Sequence, residues 1–394
     1  MIVCLSPNGQ NQTRGNGPCE TLYVATIRGL HVLVRDGVGW REAYASLEDK
    51  HISSLLYEPA SQLLFAGIHG RGELGGLFFS RDHGRTWAPR MAGLDRPHVY
   101  TLTAETRGDQ VILYAGTESP ALYRSDDLGE TWRDLESLRA VPGTEKWIFP
   151  PPPHIAHVKN VAFHPARPGQ LYVCVEQGAV LKTVDDGVTW RELDAYASEH
   201  DEFYHDVHRI AIGRDNPDRV HLTTGDGLYF SEDAGETWVH QQGRADRVGY
   251  PDALFLHPGD DATVYMGGAG DAPESWRVKG SAQAGFIVSH DSGATWAELM
   301  HGMPADFRGN LEAMSMHVWP GGTAFYAGTA VGDVFASDDA GLNWSVIATG
   351  LPPVSKSRHY RHFLSADEKR AIEDQAKAER RAEQLPERAY VTNA

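Results

Sequence analysis

Positive charge is in short supply in this 394-residue chain. Its 36 Lys and Arg stand against 53 Asp and Glu, for a formal net charge of −17. A surface of that sign repels phosphate backbones and anionic lipid, so neither nucleic acid nor membrane is an expected partner. Cysteine is scarcer still. Cys4, Cys19 and Cys174 form no C-x-x-C pair and no even set, which argues against a disulfide framework. Cys174 stands in the apolar run Leu171-Tyr172-Val173-Cys174-Val175 and reads as a small core residue. No run approaches the roughly eighteen apolar residues of a membrane span. The opening, Met1 to Pro7, lacks the basic and apolar regions of an export signal, so a cytoplasmic protein is expected. Phosphate-loop, G-x-S-x-G and H-E-x-x-H strings are absent too.

What the chain does have is punctuation and repetition. Its 41 glycines and 22 prolines suit many short strands joined by turns. The pattern S/T-x-D-x-G-x-T-W runs from Ser80 through Asp82 and Gly84 to Trp87, and returns around Asp127, Asp185, Asp233, Asp291 and Asp339. A shortened copy, Arg35-Asp36-Gly37-Val38-Gly39-Trp40, precedes them. The seven tryptophans recur about every 51 residues, a propeller-blade period. In each copy the aspartate can accept hydrogen bonds from its own turn, the glycine supplies positive φ, and the tryptophan offers a large apolar surface between sheets. The motif is therefore a structural clip between a blade's third and fourth strands.

These observations predict an all-β, seven-bladed β-propeller over 1–354, with four-stranded antiparallel blades and Asp-box turns. The blades run approximately 1–46, 47–93, 94–139, 155–195, 205–243, 249–302 and 309–350, with Ile2 to Pro7 as the first inner strand. Residues 355–394 form a charged tail with helical character, opening on the basic patch Lys356 to His362. The repeats resemble the BNR/Asp-box propeller superfamily, whose members include sialidases, sortilin-type receptors, xyloglucan hydrolases and photosystem II assembly factors. The resemblance spans nearly all of 1–350 and implies the fold. It divides over function between enzymes and binding platforms. No R-I-P string of the sialidase branch occurs, so no sialidase residue is carried over.

Placing the clip turns at one end sends the B–C and D–A loops to the other. The long inserts 136–156, 194–205 and 267–284 all fall there, where function on a rigid scaffold usually sits. Aligned D–A junctions put His51, His98 and His157 at one position, with Asp206 in the next blade. The ends of the second strands add His69, Glu118 and Glu176. His51, His98 and His157, with His69 beside them, are the candidate ligands of a single divalent transition metal such as zinc, iron or manganese, with the carboxylates alongside. They equally suit a polar channel with no metal. His154, His205 and His208 are candidate further ligands or substrate contacts, and Trp276 and Arg277 candidate lid contacts.

Two readings follow. One is a hydrolase or lyase acting on a polar, saccharide-like small molecule at the His-rich mouth, with Glu118, Glu176 or Asp206 as general base. The saccharide comes from the resemblance alone. The other is a non-catalytic platform for a protein partner. Histidines and carboxylates gathered on the insert-bearing face favour the enzyme.

Overall fold

Runs of valine, leucine, isoleucine and aromatics broken by Gly, Pro and Asp become short strands, and the strands become seven radial sheets. The computed structural model describes residues 1–70, 75–150, 153–196, 205–243, 246–305, 308–365, 367 and 369–370. In each of blades two to seven, four consecutive antiparallel strands run outward from the axis. Second strands such as Leu171–Glu176 are buried on both faces and read as unbroken apolar runs. Outermost strands such as Arg133–Asp134 and Arg191–Glu192 are short and largely exposed. The core lies between blades. Ile112, Tyr114 and Leu122 of blade three, for example, pack with Val158, Leu171 and Val173 of blade four.

The six full clip turns share one geometry, which the shortened copy at residues 36–39 lacks. In the first, Ser80 Oγ donates to Asp82 Oδ1 at 2.8 Å, and Thr86 N–H and Thr86 Oγ1 donate to the same carboxylate at 2.9 and 2.6 Å. The two central residues are both left-handed, His83 at φ 62° and Gly84 at 88°. The hydrogen bonds hold the turn carboxylates low, with Asp185, Asp233 and Asp291 at about 2.

The first blade departs from the rest. Its inner strand, Ile2–Leu5, occupies the expected place but runs parallel to its neighbour Thr21–Thr26. The chain then turns into the axis. Asn8 N–H donates to Ser53 O and Gln10 N–H to Leu55 O, both on the inner strand of blade two. Arg209 of blade five grips Pro7 O, and Thr101 of blade three donates to Asn8 O. Gln12–Arg14 finally adds a fifth, parallel strand inside Leu311–Trp319 of blade seven. The axis is thus filled by the protein's own backbone. It is not an open channel, and a cavity remains at each end.

The tail also differs from expectation. Residues 353–363 fold back over the mouth, with Ser355 and Lys356 buried. Val354 N–H donates to Thr329 O, and Ile27 N–H to Pro353 O. Residues 366, 368 and 371–394 lie outside the described residues.

Candidate functional site at the axial mouth

Each inner strand of blades two to seven begins at the mouth face and carries a β-bulge there that interrupts its alternation. The first positions are His51, His98, His157, Asp206, Tyr250 and Asn310. Two residues on, at the bulge itself, come Ser53, Tyr100, Lys159, His208, Asp252 and Glu312, all buried. The first set rims the mouth and the second forms its floor. His51, His98 and His157 therefore stand at one end of the molecule, opposite the clip turns, and line one cavity of about 460 Å3.

The rim is a row of rings. His69 lies edge-on to His51 and to His98, with centroids 5.3 Å apart in each pair. Tyr100 continues the row from His69 to His157. His69 Nε2 is 3.1 Å from Glu118 Oε2, and His98 Nδ1 is 3.8 Å from Glu118 Oε1. Ligand atoms of His69, His98 and Glu118 all lie within 4.8 Å of one another. Burial alone would raise the Glu118 carboxyl. The His69 hydrogen bond and the nearby imidazoles outweigh it and hold the group below its ordinary value, hence ionised at neutral pH. A metal would find two nitrogens and one anionic oxygen here, with the cavity open beside them.

His51 and His157 have other partners. His51 donates through Nε2 to Ser355 O at 2.7 Å, and burial, then His69, push its pKa down to about 3. It is a neutral strut under the C-terminal segment. His157 bonds Glu176, whose other oxygen receives Lys159. Glu176, Asp206 and His208 form a second compact set, all buried. Yet the Lys159 ammonium already occupies Glu176 Oε1, the oxygen 3.7 Å from His208 Nε2. A cation would meet another cation there. The set is instead one side of an ion-pair floor in which Lys159 and Lys356 converge on Asp252, and Tyr250 holds Asp206. Burial would raise Glu176, but Lys159 and His157 hold it well below the usual range.

Of the residues expected at the site, the structure brings His51, His69, His98, His157 and Glu118 to the cavity wall. Glu176, Asp206 and His208 lie beneath the wall, too buried and too firmly paired to reach substrate. His205 bonds Gly178 O, and His154 bonds Phe149 O of its own loop. Trp276 is not a lid contact. It is 1% exposed, donates its indole N–H to Asp271 O, and stacks on Phe363. Arg277, on the short helix Pro273–Lys279, is exposed and outside the cavity lining. Much of the 194–205 insert lies outside the described residues.

Sequence reasoning missed Tyr100, Lys159, Asp252 and Glu312, though their signal was present. They stand two residues after the aligned junction positions. It also missed the cavity's outer wall, Arg358, Tyr360, Arg361 and His362 from the C-terminal segment. That segment is held by Lys356 on Asp252 and by His359 Nδ1, 3.1 Å from Glu312 Oε1.

No family model matches the chain. The oligoxyloglucan-reducing end-specific xyloglucanase of Emericella nidulans is 26% identical over 213 residues, 50% of this chain and 24% of that protein. Among solved structures, an ancestral GH74 enzyme superposes with TM-score 0.55 at 15% identity, over 75% of this chain and 38% of that one. YCF48 bound to D1 peptide superposes with TM-score 0.51 at 16% identity, over 82% and 92%. What is shared is the fold. These neighbours are likewise seven-bladed propellers. This chain spans about a quarter of the xyloglucanase's length. No helix among the described residues is long and apolar enough to cross a membrane.

Proposed function

We propose that this protein is a hydrolase of saccharide-like substrates, working at the axial mouth with a divalent transition metal held by His69, His98 and Glu118. The observation that carries the reading is the meeting of these three side chains, from two blades, on the wall of a cavity sized for a small ligand. Likeness to a xyloglucanase and to a GH74 enzyme supports the saccharide. Zinc, iron or manganese would lower the pKa of bound water and polarise the scissile group. Glu118, ionised and bridging the two imidazoles, fixes their orientation. Phe149 and Ile155 give the cavity apolar faces on which a sugar ring can lie.

The test is elemental analysis of the purified full chain, paired with release of reducing ends from xyloglucan oligosaccharides. Near one equivalent of metal is expected. His98→Ala should remove it and abolish turnover while circular dichroism stays unchanged. Metal-free wild-type protein with full turnover would refute the metal, and metal-loaded protein inert on every oligosaccharide would refute the hydrolase. A second reading, a platform for a protein partner, draws on the nearly complete overlap with YCF48. Partner capture that survives His98→Ala but is lost on changing the 136–156 insert would favour it.

A further inference from the structure

The cavity's charge runs against that of the molecule. On a chain of formal charge −17, the cavity is lined by Arg358, Arg361 and six histidines, and by one carboxylate, Glu118. That carboxylate is already engaged with His69 and His98. The neighbouring acids are also taken. Glu312 holds His359 and Asp252 holds Lys356, both beneath the wall. Among the described residues neither Arg358 nor Arg361 has a carboxylate partner. The side-chain hydrogen bond of Arg361 among the described residues goes to Tyr360, its Nε donating to the hydroxyl at 3.5 Å.

The two arginines are also fixed in place. The backbone that carries them is pinned on one side by Val354 and the buried Lys356, and on the other by Phe363 stacked on Trp276. Between these anchors His359–His362 forms a short 3-10 turn, closed by Arg361 N–H donating to Arg358 O at 2.9 Å. An arginine on a fixed backbone, unpaired and facing a concave site, is poised for a forked pair of hydrogen bonds to a planar or tetrahedral anion. Acidic surroundings make such a spot the place where an anion settles, since the remaining surface repels it.

We infer that the mouth takes an anionic ligand, whose carboxylate, sulfate or phosphate group is received by Arg358 and Arg361 while its body faces His69, His98 and Glu118. This rests on the hydrolase reading for the saccharide, and it makes that saccharide an acidic one. A cavity of about 460 Å3 fits a small acidic molecule.

The full chain, with its metal content measured in parallel, would be titrated with inorganic phosphate at constant ionic strength by calorimetry. Saturable binding is expected, weakened at least tenfold in Arg358→Gln with Arg361→Gln and partly restored by lysine at both positions, with metal content unchanged. A glucuronate-bearing xylotriose should then bind at least tenfold more tightly than the same sugar with its carboxylate methyl-esterified. Absence of phosphate binding, binding unaffected by the double substitution, or equal affinity for acid and ester would each overturn the inference. Arginine-dependent phosphate binding with neither sugar bound would sustain the anion site and overturn the saccharide reading instead.

Discussion

Lys159 shows what a single side chain does here. Fully buried, it is tolerable as a cation because Glu176 and Asp252 meet it. Glu176→Gln removes one of those charges without changing shape. It should cost about 3 kcal/mol in urea denaturation, much of it the price of a less compensated ammonium. A loss under about 1 kcal/mol would mean that Asp252 alone satisfies the lysine. His221 is a contrary case. It is buried in blade five with neither ring nitrogen partnered among the described residues, and burial, reinforced by Arg219, lowers its pKa to about 4. The unfolded chain takes up that proton near pH 6.5 and the fold only near 4, so its contribution is complete above 6.5 and is lost as pH falls toward 4. His221→Leu should flatten the stability curve over that window. An unchanged slope would show that other groups set it.

At the scale of elements, the clip turn couples backbone conformation to packing between blades. In the fifth blade, Gly235 has φ 94°, and a Cβ there would lie 2.7 Å from Leu193 Cδ1 of the preceding blade. Gly235→Ala should therefore destabilise by at least about 1 kcal/mol from conformation alone, with the Leu193 contact added. Equilibrium denaturation measures it, and a neutral result would mean that the turn relaxes. These elements were the legible part of the sequence. A tryptophan and an aspartate at fixed spacing carry their own geometry, so blade count, strand order and the mouth face could all be read. Aligned repeats also place His51, His69, His98, His157 and Glu118 around one opening, but they point to His51, His98 and His157 as the ligand trio, whereas the atoms that converge are those of His69, His98 and Glu118. Local pattern was silent about residues that act across the ring. Nothing near Lys356 announces that its partner is Asp252, and Trp276 in an insert resembles a lid until Phe363 is seen to cover it. The reversed first strand was equally hidden, because alternation of side chains does not encode strand direction.

At the scale of the whole molecule, closure depends on the axial segment. Arg209 donates to Pro7 O and, at 2.8 Å, to Asp252 O, so one guanidinium ties the plug to the charged floor. Arg209→Met would leave two buried carbonyls without a donor, at about 1 kcal/mol or more each. Cleavage by trypsin after Arg14 should accelerate with it. Unchanged cleavage would mean that the segment is held by its other bonds. Such an axis also has a temporal consequence. Cys4 meets Ser315, 311 positions away, and Gln12 meets Met316, while blades two to six are each built from neighbours in sequence. Contacts of such separation are slow to form. The sheets can assemble early and one by one, and blade two can already hold Asn8 and Gln10, but Cys4 and Gln12–Arg14 find their partners only once the seventh blade has arrived. A residue near the start of the chain must wait for one near its end, and until then the ring is a chain of blades with a loose core.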